Sequence, residues 1–404
     1  MTSFLRSRRW ARPRHLAVVV TCAAWLIVPA PAGAQTLTIG EVLSFLLTNR
    51  SIVTDDFPRD EAAATATRDA IGRALQIELA TLPITSSSGG FTYRFNPALG
   101  TTERASDAFG PFFVERALTS GRRQASLGFN VRYGQFESLE GNDLRDGSFV
   151  TTANAFVDEP EPFDQEALTL RLSTTTMTVF GSYGITDRLD IGVAVPIVSL
   201  RMSGERVNTF RGQSNVQAFA TASVVGLADM AVRSKVQVLG RGSSGMSLGA
   251  EVRLPTGNEE DLLGAGTPAF RALVIGSLEG GVLGLHGNVV YAAGGISNEI
   301  DYAGGVTLAA APRFTLIGEV YGRSIDDLGR LAPVALPHPS IRGVNTIRLA
   351  PEDTSARSAF AVAGFKWNLA SSWLLTSNVL FPLSDSGLRA TIVPAISLDY
   401  AFGR

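Results

Sequence analysis

From residue 388 to 402 apolar and polar side chains nearly alternate. Leu388, Ala390, Ile392, Pro394, Ile396, Leu398, Tyr400 and Phe402 fall on one side; Arg389, Thr391, Ser397 and Asp399 fall on the other. Strand side chains alternate with period two, so the pattern predicts a strand with one apolar and one wet face. Its length fits as well, because a tilted strand needs roughly 9–11 residues to cross the hydrocarbon layer of a membrane. The pattern recurs near 124–136, 166–185, 188–201, 228–239, 246–255, 269–279, 281–293, 300–310, 313–324, 357–369 and 372–382. About twelve strands result, an even number that leaves the first and last antiparallel and able to close the sheet.

The connections test this division independently. Thr186-Asp187, Gly240 to Gly245, Glu279-Gly280, Ala311-Pro312 and Ala370-Ser371 are short, and all fall on one side of the sheet. The other side carries 137–165, 202–227, 256–268, 294–299, 325–356 and 383–387, three of them long and polar or rich in Pro and Gly. Short inner turns and long outer loops are the arrangement of a transmembrane antiparallel β-barrel. A soluble β-sandwich also alternates, but ionisable residues on nearly every polar face suit a wet lumen better than a packed core.

The segment before the strands reads differently. Arg6, Arg8, Arg9, Arg12 and Arg14 precede an uncharged apolar run from Leu16 to Val28 and a small-residue site at Ala32-Gly33-Ala34, which predicts a signal peptide over 1–34, cleaved after Ala34. The run is shorter than the roughly 17–25 residues of a spanning helix. Residues 35–121 are predicted to form an N-terminal helical and irregular extension on the periplasmic side, or a plug, and 122–404 the barrel. Within the extension, an amphipathic helix is expected over Pro58 to Leu79, where Ile71, Leu75 and Leu79 recur at helical spacing, and a short one over Thr38 to Leu47. Phe91 to Phe95 is a candidate short strand.

Composition narrows the chemistry. Removing the signal arginines leaves 30 basic residues against 37 acidic ones, and Lys235 and Lys366 are the only lysines, so no basic stripe suits nucleic acid. The one cysteine, Cys22, lies in the signal run. Outside the signal the histidines are His286, on a polar strand face with Asn288 two residues on, and His338, between two prolines in a long loop. Neither suits a catalytic platform, and no enzyme is predicted. The acidic clusters Asp55-Asp56, Glu259-Glu260-Asp261 and Asp326-Asp327 lack the spacing of a calcium loop and read as solvated loop ends, so no metal or cofactor is expected.

Several patches then resemble one family. Phe95-Asn96-Pro97-Ala98-Leu99-Gly100, Phe109-Gly110-Pro111-Phe112-Phe113-Val114-Glu115-Arg116-Ala117-Leu118 and Leu127-Gly128-Phe129-Asn130 are similar to the opening of the outer-membrane transporters of the meta-pathway of phenol degradation family. So are Tyr183-Gly184-Ile185-Thr186-Asp187-Arg188-Leu189-Asp190 and the stretch from Arg253 to Gly264. That family is similar in turn to the long-chain fatty acid outer-membrane channels, whose N-terminal hatch carries an Asn-Pro-Ala motif matched here by Asn96, Pro97 and Ala98. Asn-Pro also favours a turn for local reasons alone. The helical segment ahead of the motif is long for a hatch, and the fatty acid channels have fourteen strands. The terminal strand departs too, ending Phe402-Gly403-Arg404 where an aromatic residue is usually last. The resemblance implies outer-membrane lipid, the barrel-assembly machinery and a small-molecule solute as partners, in the outer membrane of a Gram-negative-type bacterium.

With the apolar side of each strand outward, a charged set is predicted in the lumen: Arg132, Arg171, Arg233, Lys235, Glu251, Arg253, Arg271, Asp301, Arg313, Glu319, Arg323, Lys366 and Asp399. Two readings of it stay open, a ladder of ion pairs bracing a narrow barrel and a charged solute path. By resemblance, the expected function is an outer-membrane channel or transporter for small, hydrophobic or aromatic solutes. The alternative is a structural or surface-binding barrel with a closed lumen, and a weaker one is an outer-membrane hydrolase.

Overall fold

The computed structural model describes residues 37–47, the helical residues 61–62, 65–66, 68–69, 71–73 and 76–77, and then 90–96, 101–326, 330–352, 355–370 and 372–402. The expected signal peptide, Pro97 and Ala98 lie outside the described residues, as does part of the helix expected over Pro58 to Leu79. The short helix is present as α1 (Ile39–Leu47). A reciprocal capping box starts it: Glu41 N donates to Thr38 Oγ1 (3.1 Å) and Thr38 N to Glu41 Oε2 (2.7 Å), satisfying two amides that the first turn leaves without helical partners.

The strands follow in chain order. β1 (Tyr93–Asn96) and β2 (Thr101–Arg104) form a separate two-stranded hairpin. β3 (Ala125–Leu139), β4 (Asn142–Asp143) and β5 (Val150–Phe156) lead into the long strands β6 (Asp164–Gly184) and β7 (Leu189–Phe210), then β8 (Gln213–Leu227) and β9 (Met230–Arg241). Next come β10 (Ser244–Leu254), β11 (Ala269–Gly280), β12 (Leu283–Gly294), β13 (Glu299–Ala311) and β14 (Phe314–Ile325). β15 (Arg330–Pro337), β16 (Val344–Glu352), β17 (Ala356–Ala370), β18 (Trp373–Pro382), β19 (Leu388–Ala390) and β20 (Val393–Phe402) complete the chain.

Twelve of these strands close an antiparallel barrel, as the alternation predicts. The ring runs β3, β6, β7, β9, β10, β11, β12, β13, β14, β17, β18, β20 and back to β3, where Phe402 pairs with Ala125 and Ala395 with Arg132. Closure leaves no sheet edge for lipid to desolvate. The turns at the end where β3 starts and β20 finishes are tight; between β9 and β10 the reversal uses Gly242 at φ 63°, a conformation that favours glycine.

The outer surface is apolar. Val232, Val236, Leu248, Val274, Leu285, Val289, Val306, Leu316 and Val320 are all exposed, far more than a soluble monomer tolerates in one patch. Aromatic side chains rim this belt at both ends. Tyr183, Trp367, Trp373 and Phe402 stand at the tight-turn end, and Tyr133, Phe270, Tyr291 and Tyr302 at the other. Belt and girdles together are the lipid-facing surface of a transmembrane barrel.

Two expectations fail in instructive ways. The connections 137–165, 202–227 and 325–356, read as loops, are largely strand. β6 and β7 run on past membrane length, and with β8, β5, β16 and β15 they build a six-stranded sheet, in the order β15, β16, β5, β6, β7, β8, that extends one side of the wall. The last strand is also not one strand with one apolar face. A break at residues 391–392 separates β19 from β20 and reverses the alternation, so Leu388 and Ala390 are buried inside while Ile396 and Phe402 face out. One inserted residue flips every side chain beyond it.

Candidate functional site: a plugged lumen

Residues 109–120 lie inside the barrel without regular structure, so their backbone polar groups have to find partners among barrel side chains. They do so almost in sequence. Phe109 N donates to Thr315 Oγ1 (3.1 Å), and Lys366 Nζ donates to the Pro111 carbonyl (2.8 Å). The Glu319 carboxylate then receives three successive amides: Phe112 on Oε1, and Phe113 (3.1 Å) and Val114 (3.3 Å) on Oε2. Asn288 grips Glu115 at both backbone groups, accepting from its N (2.6 Å) and donating to its carbonyl (2.9 Å). Ala117 N donates to Ser277 Oγ (2.9 Å), Ser247 donates to the Ala117 carbonyl (2.6 Å), and Ser120 N donates to Asp190 Oδ2 (2.7 Å). The segment therefore enters from the tight-turn end, reaches mid-lumen near Glu319 and Asn288, and returns to start β3.

A charge ladder stands beside this plug on one wall. Glu251 of β10 takes Arg233 of β9 on Oε2 (2.5 Å) and Arg253 on Oε1 (2.7 Å), with Arg271 of β11 at 3.8 Å. Arg271 also pairs with Glu299 and Asp301 of β13, and Tyr321 of β14 donates to Asp301 (3.1 Å). Arg323 donates to Ser358 (2.9 Å). The plug joins the ladder through Glu115, which lies 3.8 Å from Arg233 and 3.5 Å from Lys235. Arg116 is buried and donates to the Gly90 carbonyl (3.2 Å); burial lowers its guanidinium from the usual value, opposed by the Glu279 and Glu115 carboxylates. The space left between plug and ladder, bounded by Phe113, Glu115, Arg233, Glu251, Arg271 and Tyr321, is about 40 Å³. That is room for a few waters, not for a solute.

The structure gathers most of the predicted lumen set. Arg233, Lys235, Glu251, Arg253, Arg271, Asp301, Glu319, Arg323, Lys366 and Asp399 all point inward, and half-buried Arg132 shares the inward face of β3 with Asn130. Two members are corrected. Arg171 is exposed on the outer face, because on β6 the inward positions are Leu168, Leu170, Leu172 and Thr174. Arg313 is exposed in the tight turn between β13 and β14. Glu115, Asp190, Ser247, Ser277, Glu299 and Thr315 were not singled out by sequence; of these only Glu115, a charge inside the apolar run Phe112 to Leu118, carries a signal. The hatch-like motif places Asn96 at the end of β1 and Pro97 and Ala98 outside the described residues.

His286 is buried, with Nδ1 2.9 Å from Ser277 Oγ and Nε2 3.2 Å from Thr307 Oγ1. Ser277 sits directly across the β11–β12 register from it, and Ser277 in turn receives the amide of Ala117. The pair holds the plug. His338 is also buried, its Nδ1 accepting from the amides of Ser340 (3.2 Å) and Ile341 (3.1 Å), which fastens the bend between β15 and β16.

Toward the long-connection end, the interior beside β6 and β7 is apolar. Leu168, Leu170, Leu172, Val198, Leu200 and Met202 of β6 and β7 pack with Val42, Leu43 and Leu46 of α1 in one buried cluster. Arg206 reaches the Leu46 carbonyl (3.5 Å) at the helix C-terminus, where positive charge is favoured.

No family model matches the chain, and no curated protein does. Among solved structures, an outer membrane channel from Pseudomonas putida F1 is 12% identical over 71% of this chain and 98% of its own, with a TM-score of 0.47. A Pseudomonas aeruginosa FadL homologue is 12% identical over 80% and 99%, at 0.34, and the Ralstonia pickettii toluene transporter TbuX 10% over 81% and 100%, at 0.30. Identities this low and superpositions this loose leave the lumen's chemistry to be read from its own side chains.

Proposed function

We propose that the protein is an outer-membrane channel for small, hydrophobic or aromatic solutes, exported by a signal peptide that is cleaved after Ala34 and seated by the barrel-assembly machinery. The observation that carries this reading is the divided interior. An apolar section toward the long-connection end, where Leu168, Leu170, Leu172, Val198, Leu200 and Met202 pack against α1, suits an apolar solute that takes the place of the helix, while the polar section beyond it is shut by a segment that is not part of the wall. Transport of this kind needs no covalent chemistry, only movement of α1 and of residues 109–120 and a solute gradient.

A second reading, a structural barrel with a permanently closed lumen, is favoured by how completely barrel side chains satisfy the plug backbone. Uptake of a radiolabelled small aromatic hydrocarbon by cells with and without the protein separates the two. A rate that rises with expression supports the channel; equal rates with the barrel correctly folded support the closed barrel.

A further inference from the structure

Arg171 and Arg201 stand on the outer face of neighbouring strands. The β6–β7 register sets Arg171 opposite Ser203 and Arg201 opposite Ser173, so the two arginines are diagonal neighbours framed by two hydroxyls. Both are exposed. Among the described residues neither makes an ion pair or a hydrogen bond, whereas Arg145 pairs with Glu137 and Arg389 with Asp385 at the same end of the barrel. The carboxylate facing them from their own surface, Glu205, lies opposite Thr169 and forms no ion pair with either.

Height decides what these guanidiniums meet. Tyr133, opposite Thr175, marks the upper rim of the apolar belt. Arg201, opposite Ser173, lies two residues beyond that row and Arg171 four. At about 3.3 Å per residue and a tilt of about 40°, this puts them about 5 and 10 Å above the rim. The interfacial layer beyond the hydrocarbon is about 5–8 Å deep on each side, and an arginine stem can bend back into it. Two unpaired like charges held side by side at this depth repel until an anion lies between them.

We propose that Arg171 and Arg201, with Ser173 and Ser203, form a site for the phosphate of a phosphorylated outer-leaflet lipid head group. The guanidinium fork matches phosphate bidentately, and the serines can donate to its remaining oxygens. The site rests on the membrane-barrel reading alone and is independent of whether the lumen conducts.

Full-length protein extracted in detergent can be titrated with a bis-phosphorylated lipid A and its bound lipids counted by native mass spectrometry. Wild type should hold one lipid that Arg171→Ser/Arg201→Ser binds roughly tenfold more weakly, with Arg171→Lys/Arg201→Lys in between because charge remains without the fork. Heat-modifiable gel migration, read on each variant, reports barrel integrity separately. A folded double-serine variant with undiminished binding overturns the proposal, as does equal competition by inorganic phosphate at the same concentration. Should the serine variant not fold, unchanged affinity in the lysine variant overturns it.

Discussion

The two halves of this barrel's interior hold their inserts by opposite kinds of force. In the tight-turn half, residues 109–120 hang on directional bonds to Thr315, Glu319, Asn288, Ser277, Ser247 and Asp190, and through Glu115 they meet the ladder of ion pairs that rises along β9 to β14 toward the other end. Toward the other end, beside β6 and β7, α1 rests mainly on Leu168, Leu170, Val198 and Leu200, where contact is non-directional. Directional bonds in a dry interior favour one register and strongly oppose half-released states, because each orphaned group is expensive. Apolar packing tolerates substitution by another apolar surface, a solute included. On the proposed channel reading, the plug is the shut gate and the apolar section under α1 the part that adapts to a solute.

The sharpest way to break this contrast is to remove the hub of the ladder. Glu251→Gln leaves Arg233, Arg253 and Arg271 facing one another and should cost about 3–5 kcal/mol, read from the urea midpoint of the refolded barrel. A drop much below that would mean water already screens the ladder. Glu319→Ala orphans the amides of Phe112, Phe113 and Val114 and should cost roughly 3 kcal/mol. Its hydrogen exchange should rise at 109–120 and stay unchanged at 39–47.

The mirror experiment is Leu46→Ala, with an expected cost of about 2–3 kcal/mol for the cavity left under α1 and faster exchange at 39–47 alone. If either variant loosened both inserts, the halves would be one cooperative unit. Smallest is Thr38→Ala, which deletes the capping box and should cost about 1 kcal/mol, confined to α1.

The barrel was legible because alternation is a local signal. Val306 and Leu308 against Thr307, or Leu316 against Thr315, show their facing without knowledge of any partner. The upper part of β7 and all of β8 were not, because beyond the membrane nothing forces an apolar outer face: Ser203 and Glu205 read as loop. Arg171 was misplaced for the same reason, since on β6 above the belt the leucines face inward and the polar residues outward, the reverse of the crossing part. At 391–392 a single extra residue reversed the facing, and no composition marks it. For the site, strand parity placed Glu251, Arg271 and Glu319 in the lumen, but their partners come from register and from a plug about 200 residues away in sequence, which a one-dimensional pattern does not carry.

The most direct test of the gate is a disulfide between plug and wall. Ala117 N lies 2.9 Å from Ser277 Oγ, and the only native cysteine is Cys22 in the leading apolar run, so Ala117→Cys/Ser277→Cys can be oxidised and reduced without competing thiols once that run is removed. Solute flux through the reconstituted protein should be abolished when the bond forms and restored by reductant. Flux that is the same in both states would contradict the account, because solute would then be passing with residues 109–120 still in place.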